Sequence, residues 1–543
     1  MGNKNSTSQN AQAQQQYMSN VVLQQQQIQG GYHSNYLNNN IFNDEFEDPS
    51  PQQSSYDDDE PLPESTTKTK SKPDAKKEQS TLSDPEKLFS CTFKLKYNTL
   101  QINSASETIE PALFTLKTEN TQEGSRVPLD LVCVLDVSGS MQGTKITLLK
   151  DTLKYLVEIL GDDDRISIVK FNSQASRLTP LQRVAEANKP GILKAIDSLY
   201  ASGGTSITAG MTQAVRILND RRYKNPVSSV FLLSDGLDGG ATAGVQKLLQ
   251  TEKPKDSFTI NSFGYGSDHD PNLMNSIAKL MDGKFYFVEK LDTVDECFVH
   301  AIGGLISVVG QDTTITIQAV KSDVFPNVQI KKAFGGSELW KVVDGTYNTG
   351  ISQLSSGKSK NYVLELAIPK CTKTLSDLQR EVVLAKATVT IKLPNSNEVW
   401  KKVCELKVNF VNEDEELPKQ QAEKDLLSNY YRVRAAELLA EARNLAEKSD
   451  YEGGRKILQN FKEELSKSAV KDESLVKGLL DDIELTIKEM QPRVYEAVGK
   501  ARLYQQVDCH MMEKSNPMSN ADFYSNCTEQ MFVKQAKAKK GFF

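Results

Sequence analysis

The sequence has 543 residues, a length that corresponds to about three or four ordinary domains. Its net charge is −6 and acidic and basic residues are interspersed, so the overall charge does not indicate a nucleic-acid-binding protein. The seven cysteines are scattered and form no Cys-x-x-Cys pair, which argues against zinc ribbons, RING modules and thioredoxin-type redox sites and fits a reducing, intracellular compartment.

Residues 1–85 differ in composition from the rest of the chain. They are rich in glutamine and asparagine, then acidic at 57–60 and then basic at 68–77. A segment with so few aliphatic residues cannot bury enough apolar surface to offset the entropy of ordering. We therefore expect 1–85 to be a disordered tail.

The first six residues match the Met-Gly-x-x-x-Ser/Thr pattern for N-myristoylation at Gly2. The alternative is a chance match to a short pattern. A single myristoyl chain gives only weak, reversible membrane binding, and no cysteine near Gly2 is available for a second lipid. Neither a secretory signal nor a bilayer-length apolar run is evident. We expect a cytoplasmic protein with weak peripheral membrane association.

Residues 86–125 contain strand-like stretches at 91–95 and 113–116. From 126 to 308, strand-like and helix-like stretches alternate, which is typical of a parallel sheet flanked by helices. Strands are predicted at 129–135, 165–171, 227–233, 258–265 and 284–288, and helices at 143–160, 207–218, 272–281 and 293–306. The run 129–135 is apolar apart from Asp130, as expected for a strand buried on both faces. The sequence therefore predicts an α/β domain with a doubly wound, mostly parallel sheet.

Side chains that carry oxygen follow the predicted strands of this domain. The candidate metal ligands are Asp136, Ser138, Ser140, Thr205 and Asp235. The C-terminal ends of parallel strands meet at one edge of a sheet, where ligands bind. Carboxylates and hydroxyls without thiol or imidazole suit Mg²⁺, with Mn²⁺ and Ca²⁺ as alternatives. In the plainer interpretation, the segment 136–140 only caps a helix, a role that is compatible with metal binding.

The order Asp-x-Ser-x-Ser, then Thr, then Asp resembles the metal-ion-dependent adhesion site (MIDAS) of von Willebrand factor type A (VWA) domains. The resemblance implies a VWA fold, and a bound cation that accepts an Asp or Glu side chain from a protein partner, with Asp235 acting through water. Segments at 136–149, 199–210, 228–236 and 262–274 are also similar to plant proteins that carry a RING ubiquitin-ligase module before a VWA core. The N-terminal region of this chain has no zinc-ligand spacing, so ligase activity is not implied. The neighbouring Asp238, Asp268, His269 and Asp270 are expected to be solvated loop residues.

Residues 309–415 change to period-two alternation in short runs separated by Gly, Asn and Ser turns. This pattern predicts an antiparallel β-sandwich flanking the α/β domain. Because a sandwich must close its exposed edges, we expect the strands of 86–125 to join it. The VWA domain at 126–308 would then be an insertion in the sandwich.

Residues 416–505 are predicted to be helical, since apolar residues recur at helical spacing over 426–445, 455–465 and 475–490. The Tyr-Glu-Gly-Gly segment at 451–454 is predicted to be a break. One segment resembles a tetratricopeptide hairpin, but a stable array needs about three repeats. A helical hairpin or small bundle packed on the sandwich is therefore expected, followed by a disordered tail at 506–543.

Two classes of function compete. In the first, the chain is a non-enzymatic intracellular interaction module that binds an acidic partner residue through a MIDAS-bound cation. In the second, it is an accessory or substrate-recruiting subunit of a ubiquitin ligase, or a peripheral membrane scaffold. With four histidines, no catalytic Cys/His pair and no Walker glycine loop, the sequence favours the first.

Overall fold

The computed structural model describes residue 58 and residues 85–540, except 104, 122–125, 237, 267–268, 289–293, 377–378, 395, 397 and 516–521. Gly2, the disordered tail expected before residue 85 (apart from residue 58) and the final residues 541–543 lie outside this range, as does Asp268. Among the described residues, no helix is both long enough and apolar enough to cross a bilayer.

The strands follow one another as β1 (Phe89–Leu95), β2 (Thr99–Gln101), β3 (Thr108–Thr118), β4 (Leu129–Asp136), β5 (Arg165–Phe171), β6 (Ala175–Arg177), β7 (Gln182–Arg183), β8 (Val227–Ser234), β9 (Thr259–Tyr265), β10 (Phe285–Val288), β11 (Val308–Ala319), β12 (Gln329–Ala333), β13 (Lys341–Val343), β14 (Thr346–Ser355), β15 (Ser359–Ile368), β16 (Glu381–Lys392) and β17 (Val399–Val411).

The helices are α1 (Pro85–Leu88), α2 (Thr144–Ile159), α3 (Lys189–Asp197), α4 (Ile207–Asp220), α5 (Ala241–Glu252), α6 (Pro271–Lys279), α7 (Val294–Ile306), α8 (Gly336–Leu339), α9 (Lys424–Glu447), α10 (Tyr451–Ser466), α11 (Ser474–Glu489), α12 (Pro492–Val494), α13 (Lys500–Met512) and α14 (Cys527–Lys540). A π-helical turn, Tyr495–Gly499, joins α12 to α13.

The α/β domain is built on a doubly wound sheet, and the predicted α/β fold class is confirmed. Its strand order is β10-β9-β8-β4-β5-β6, with β7 also paired to β5. Strands β4, β5, β8, β9 and β10 run parallel, and the short β6 and β7 run antiparallel to β5. Every residue of β4 and β8 is buried, because helices pack against both faces of the sheet. One apolar layer includes α2 and α7, and the other includes α4 and α6.

A β-sandwich lies beside this sheet and contains strands from both sides of it in sequence. One sheet of the sandwich has the order β1-β3-β15-β12, and the other has the order β13-β14-β11-β16-β17-β2. In the first sheet, β3 pairs antiparallel with β15 over a register that runs from Ser359 with Lys117 to Ile368 with Thr108. The α/β domain therefore enters the chain between two strands of the sandwich, after β3 and before β11.

The helices that follow β17 pack on one another and on the sandwich. Leu426 and Val433 of α9 contact Leu113 and Val363 of the sandwich. The glycines expected to break the helix near 451 instead lie inside α10. Asp450 caps this helix through a bond from the Gly453 N–H at 2.9 Å, so the break is confined to the residues before 451.

The disorder expected for 506–543 differs from the structure, in which α13 continues to Met512 and α14 packs on α7 of the α/β domain. A buried ion cluster secures α14. Glu529 is fully buried, and its carboxylate accepts bonds from Lys284 Nζ at 3.2 Å and from Lys358 Nζ. Burial opposes ionisation of Glu529, yet the two ammonium groups hold its pKa well below the usual value. In the described residues 527–540, the acidic residue Glu529 therefore serves buried ion pairing in an ordered helix.

Candidate metal centre

Two aspartates lie at the C-terminal edge of neighbouring parallel strands. Strands β4 and β8 are in a register that pairs Leu135 with Leu233. Asp136 is the last residue of β4, and Asp235 comes directly after Ser234, the last residue of β8. Both aspartates are fully buried although they lie at a strand edge. The fold thus places two carboxylates close to each other where parallel strands end.

Asp136 is held by donors from two loops. Its Oδ1 accepts from the backbone N–H of Ser138 at 2.8 Å, and its Oδ2 accepts from the Ser234 hydroxyl at 2.5 Å. Burial raises the pKa of Asp136; these bonds act against the rise and the charge of Asp235 adds to it. The hydroxyl oxygens of Ser138 and Ser140 lie 3.0 Å apart, and Ser140 is exposed. The oxygens predicted from the Asp-x-Ser-x-Ser segment therefore lie together, with Ser140 on the solvent side.

Asp235 is satisfied on one side only. Its Oδ2 accepts from Lys145 Nζ at 3.1 Å. Its Oδ1 is buried and has no hydrogen-bond partner in the described part of the chain. A buried carboxylate oxygen without a partner is costly unless something else binds it. The geometry of Asp235 therefore fits a carboxylate that helps to bind a cation.

The loop that carries Thr205 is tied to the Asp-x-Ser-x-Ser loop through the backbone. The Gly139 N–H donates to the Gly203 carbonyl at 2.9 Å, and the Ser202 N–H donates to the Val137 carbonyl at 2.7 Å. Gly203 has a φ of +81°, a conformation that glycine adopts without strain. These bonds bring the half-buried Thr205 to the same rim as Asp136.

The turn between β5 and β6 supports the Thr205 loop from the other side. Asn172 Nδ2 donates to the Ser202 carbonyl at 3.0 Å, and the Gly204 N–H donates to Ser173 Oγ at 3.1 Å. Sequence reasoning did not identify Asn172 and Ser173, nor Ser234 and Lys145, as part of the site. Ser234 adjoins the motif and could have been noticed, but nothing in the spacing indicates that Lys145 reaches Asp235.

The other rim residues have structural roles. Asp238 accepts from the Ile207 N–H at 2.9 Å at the start of α4, and Asp270 caps α6 through the N–H groups of Asn272 and Leu273. The expectation that His269 is exposed was wrong. The residue is only 6% exposed, and its Nδ1 lies 2.6 Å from the carbonyl oxygen of Gly266. The ring packs against the aromatic rings of Phe285 and Phe287, which bury it. The prediction of exposure rested on the flanking aspartates and did not include these distant rings.

The donor set fits a hard divalent cation. The residues that could hold it are Asp136, Ser138, Ser140, Thr205 and Asp235. No group of three or more His, Cys, Asp or Glu side chains among the described residues could hold a metal ion, so a site here depends on the hydroxyl oxygens. An all-oxygen set of this kind suits Mg²⁺ better than a soft metal.

Comparison with known proteins identifies the family of the α/β domain. The family model for the von Willebrand factor type A domain matches residues 130–299. This part of the chain is a VWA domain. In solved structures, the chain is similar to a von Willebrand factor type A protein from Catenulispora acidiphila, with a TM-score of 0.58 and 16% identity over 79% of this chain and 97% of that one. It is also similar to the ArnB paralog VWA2 from Sulfolobus acidocaldarius, with a TM-score of 0.50 and 14% identity over 78% of this chain and 98% of that one. At these identities the likeness shows the fold alone.

Relatives with more similar sequences come from Arabidopsis thaliana. The chain is 28% identical to the E3 ubiquitin-protein ligase WAV3 over 251 residues, which cover 45% of this chain and 31% of that protein. It is 24% identical to the probable E3 ubiquitin-protein ligase WAVH2 over 366 residues, 64% of this chain and 46% of that protein. The VWA domain is thus similar to those of plant proteins named as ligases, and the chain spans less than half of the length of each.

Proposed function

We propose that this chain is a non-enzymatic intracellular scaffold whose VWA domain binds an Asp or Glu side chain of a protein partner through a divalent cation. The observation that supports this function best is the rim pair of fully buried carboxylates, Asp136 and Asp235. One oxygen of that pair, Asp235 Oδ1, has no hydrogen-bond partner among the described residues. The exposed Ser140 hydroxyl connects this buried pair to solvent.

Each residue of the rim has a defined task in this proposal. Asp136 and Asp235 supply negative charge, and Ser138, Ser140 and Thr205 supply neutral oxygens. Mg²⁺, or alternatively Mn²⁺ or Ca²⁺, would supply a positive charge with a coordination position left for an oxygen from outside the chain. The bonds from Ser234 to Asp136 and from Lys145 to Asp235 fix the carboxylates before a partner arrives, which lowers the entropy lost on binding.

The chemistry of the rim supports binding without turnover. The thiol in the strand that leads to the rim, Cys133, is fully buried, and burial raises its pKa far above neutral pH. A thiol held neutral in this way is a poor nucleophile. His269 points its Nδ1 at a backbone carbonyl and packs against aromatic rings. In the described part of the rim, oxygen ligands that have neither a reactive thiol nor an exposed imidazole beside them suit recognition of a carboxylate.

A second candidate function is an accessory or substrate-recruiting subunit of a ubiquitin ligase. It is favoured by the similarity to two plant proteins that are named as ligases. In this case the VWA domain would still bind the partner, and a separate protein would supply the ligase chemistry. The purified chain should then form no ubiquitin chains with E1 and E2 enzymes alone, yet should co-purify with a ligase. Chain formation by the purified protein itself would show that it is an enzyme.

The cellular location that we propose follows from the first six residues of the sequence. We place the protein in the cytoplasm, with weak peripheral membrane association through a myristoyl group on Gly2. Mass spectrometry of the intact protein from its native cells tests this, since myristoylation adds about 210 Da at Gly2 after removal of Met1. An unmodified Gly2 or a retained Met1 would contradict it.

Affinity purification with matched variants tests the proposed function. Wild-type protein, Asp136→Ala and Asp270→Asn are used as baits in Mg²⁺ and in EDTA. Asp270 is a carboxylate at the same rim whose asparagine retains the oxygen that caps α6, so this variant controls for a change of charge near the site. We expect partners that are retained by wild type and Asp270→Asn in Mg²⁺, are lost in EDTA and are lost with Asp136→Ala. Partners that survive both EDTA and Asp136→Ala would contradict the mechanism.

A further inference from the structure

The edge of the VWA sheet holds a carboxylate from a distant part of the chain. Strand β6 is the last strand in the order of the sheet, and Arg177 ends it. The guanidinium group of Arg177 contacts the carboxylate of Asp58, which lies 119 positions earlier in the sequence. Asp58 is part of the acidic run Asp-Asp-Asp-Glu at 57–60. A side chain from the N-terminal region therefore returns to the VWA domain.

Asp58 is bound by three donors. Arg177 Nη1 donates to its Oδ2 at 2.6 Å, and Arg177 Nη2 donates to its Oδ1. The backbone N–H of Leu181 also donates to Oδ1, at 2.7 Å. A bidentate hydrogen bond between a guanidinium group and a carboxylate is stronger than a single hydrogen bond and imposes a more specific geometry. The addition of a backbone donor makes this a site shaped for a carboxylate.

The recess formed by Arg177 and the Leu181 N–H is also supported from within the VWA domain. Arg177 Nε donates to the Thr179 carbonyl at 2.9 Å, which fixes the plane of the guanidinium group. The Arg177 side chain is 12% exposed and that of Asp58 is 15% exposed. Exposed ion pairs are worth little because water screens them, but this pair is largely withdrawn from water and shares its carboxylate with a fixed backbone donor.

The recess is separate from the metal rim and is connected to it through one hairpin. Strands β5 and β6 pair antiparallel, with Phe171 opposite Ala175 and Val169 opposite Arg177. The turn between them contains Asn172 and Ser173, which hold the Thr205 loop. Arg177 lies on the same hairpin, and none of the candidate metal ligands contributes to the Asp58 contacts.

We propose that Arg177 and the Leu181 N–H form a second binding site of the VWA domain, specific for the carboxylate of a short acidic peptide, and that the chain fills it with its own Asp58. Because the run 57–60 is attached to the same chain, it competes at a high effective concentration. An acidic segment of a partner must displace it to bind. The site therefore holds Asp58 on the VWA domain and can release it to an acidic competitor.

The test measures whether removing the chain's own acidic side chains from the site allows a separate acidic peptide to bind there. The probe is a fluorescein-labelled peptide of residues 56–64, and its binding to the full chain is followed by fluorescence anisotropy. The vacated variant carries Asp57→Asn, Asp58→Asn, Asp59→Asn and Glu60→Gln, because a neighbouring acid could otherwise take the place of Asp58. All titrations are made in EDTA, so the metal rim takes no part and neither result bears on the proposed partner-binding function.

We expect the vacated variant to bind the peptide at least about tenfold more tightly than wild type, since the tethered competitor is absent. Adding Arg177→Ala to the vacated variant should abolish binding, and Arg177→Lys, which keeps the charge but removes the fork, should weaken it about tenfold. A probe that carries Asp57→Asn, Asp58→Asn, Asp59→Asn and Glu60→Gln should not bind. Circular dichroism and thermal unfolding of each variant check the fold, and Arg177→Lys provides the comparison if Arg177→Ala does not fold. Equal affinity of wild type and the vacated variant, or binding that is unchanged by Arg177→Lys, would overturn the proposal.

Discussion

Replacing Asp136 by Asn should have opposite effects on stability with and without a divalent cation. Asparagine keeps the shape of the side chain and can still accept the Ser138 N–H bond to Oδ1. The Ser234 hydroxyl donates to Asp136 Oδ2 in wild type and accepts from the Gly236 N–H at 2.9 Å. In the variant its hydrogen can rotate away, so that its oxygen accepts a bond from the new amide group. The substitution therefore changes the charge of the rim with little change in packing. Wild type has two buried carboxylates there and Asp136→Asn has one.

The size of both effects follows from the buried charges. Without a cation, Asp136→Asn removes one of two neighbouring buried negative charges. Relief of a buried charge of this kind is worth about 1–3 kcal/mol, so Asp136→Asn should be more stable than wild type in EDTA. With Mg²⁺ at about 100 times its Kd, binding to the folded state adds about 2.7 kcal/mol to the free energy of unfolding of wild type. For an unfolding unit of about 150–250 residues, this corresponds to a rise in Tm of about 5–10 °C. The variant should show no such rise.

Differential scanning fluorimetry of both proteins in EDTA and across a Mg²⁺ titration measures these differences, with Asp270→Asn as the control for rim charge. The order of stability should reverse: the variant unfolds at the higher temperature in EDTA, and wild type does so at Mg²⁺ about 1,000 times its Kd, where binding adds about 4.1 kcal/mol. Equal Mg²⁺ shifts in wild type and Asp136→Asn, or no shift in wild type, would refute the reasoning that Asp136 helps to hold a cation.

The remaining predictions concern the C-terminal ion cluster. Glu529→Gln should destabilise the protein by about 3–5 kcal/mol, because it leaves the half-buried ammonium groups of Lys284 and Lys358 without their fully buried counter-charge. Chemical denaturation measures this, and a loss below about 1 kcal/mol would contradict it. Burial lowers the pKa of His300 to about 3 from 6.5, so the unfolded state binds a proton between these values that the folded state does not. Stability should therefore fall as the pH drops below 6.5, by about 2 kcal/mol from pH 7 to pH 5, and this slope should be absent in His300→Gln. Gly303→Val should release α14, since a Cβ at Gly303 would lie 3.0 Å from the Glu529 Cα; hydrogen exchange of 527–540 should accelerate, and unchanged protection would contradict the close packing.

The sequence predicts the α/β domain and its rim because local patterns determine them. The apolar runs of β4 and β8 are buried on both faces, and the polar residues that follow them must lie where the strands end. The strand assignment therefore brings Asp136 close to Asp235, 99 positions apart in the chain, without any knowledge of tertiary contacts.

Other contacts depend on charged residues that are buried only because a distant residue neutralises them. Glu529 meets Lys284, which lies 245 positions away, and Asp58 meets Arg177. In the sequence Glu529 and Asp58 belong to polar segments, and polar segments normally indicate solvated or disordered chain. His269 is a similar case: its sequence neighbours are aspartates, but in the fold it is buried against aromatic rings from a distant part of the sequence. Composition indicates how polar a segment is, but it does not identify the partner that makes burial favourable.

The location of the cation is the most direct test of the metal centre. Crystals grown or soaked with Mn²⁺ and measured at the manganese absorption edge give an anomalous difference map in which the ion appears as a peak. We predict one strong peak bounded by Asp136, Ser138, Ser140, Thr205 and Asp235, and its absence in Asp136→Asn crystals treated in the same way. A wild-type map with no peak at this rim, or a peak that persists in Asp136→Asn, would contradict the assignment.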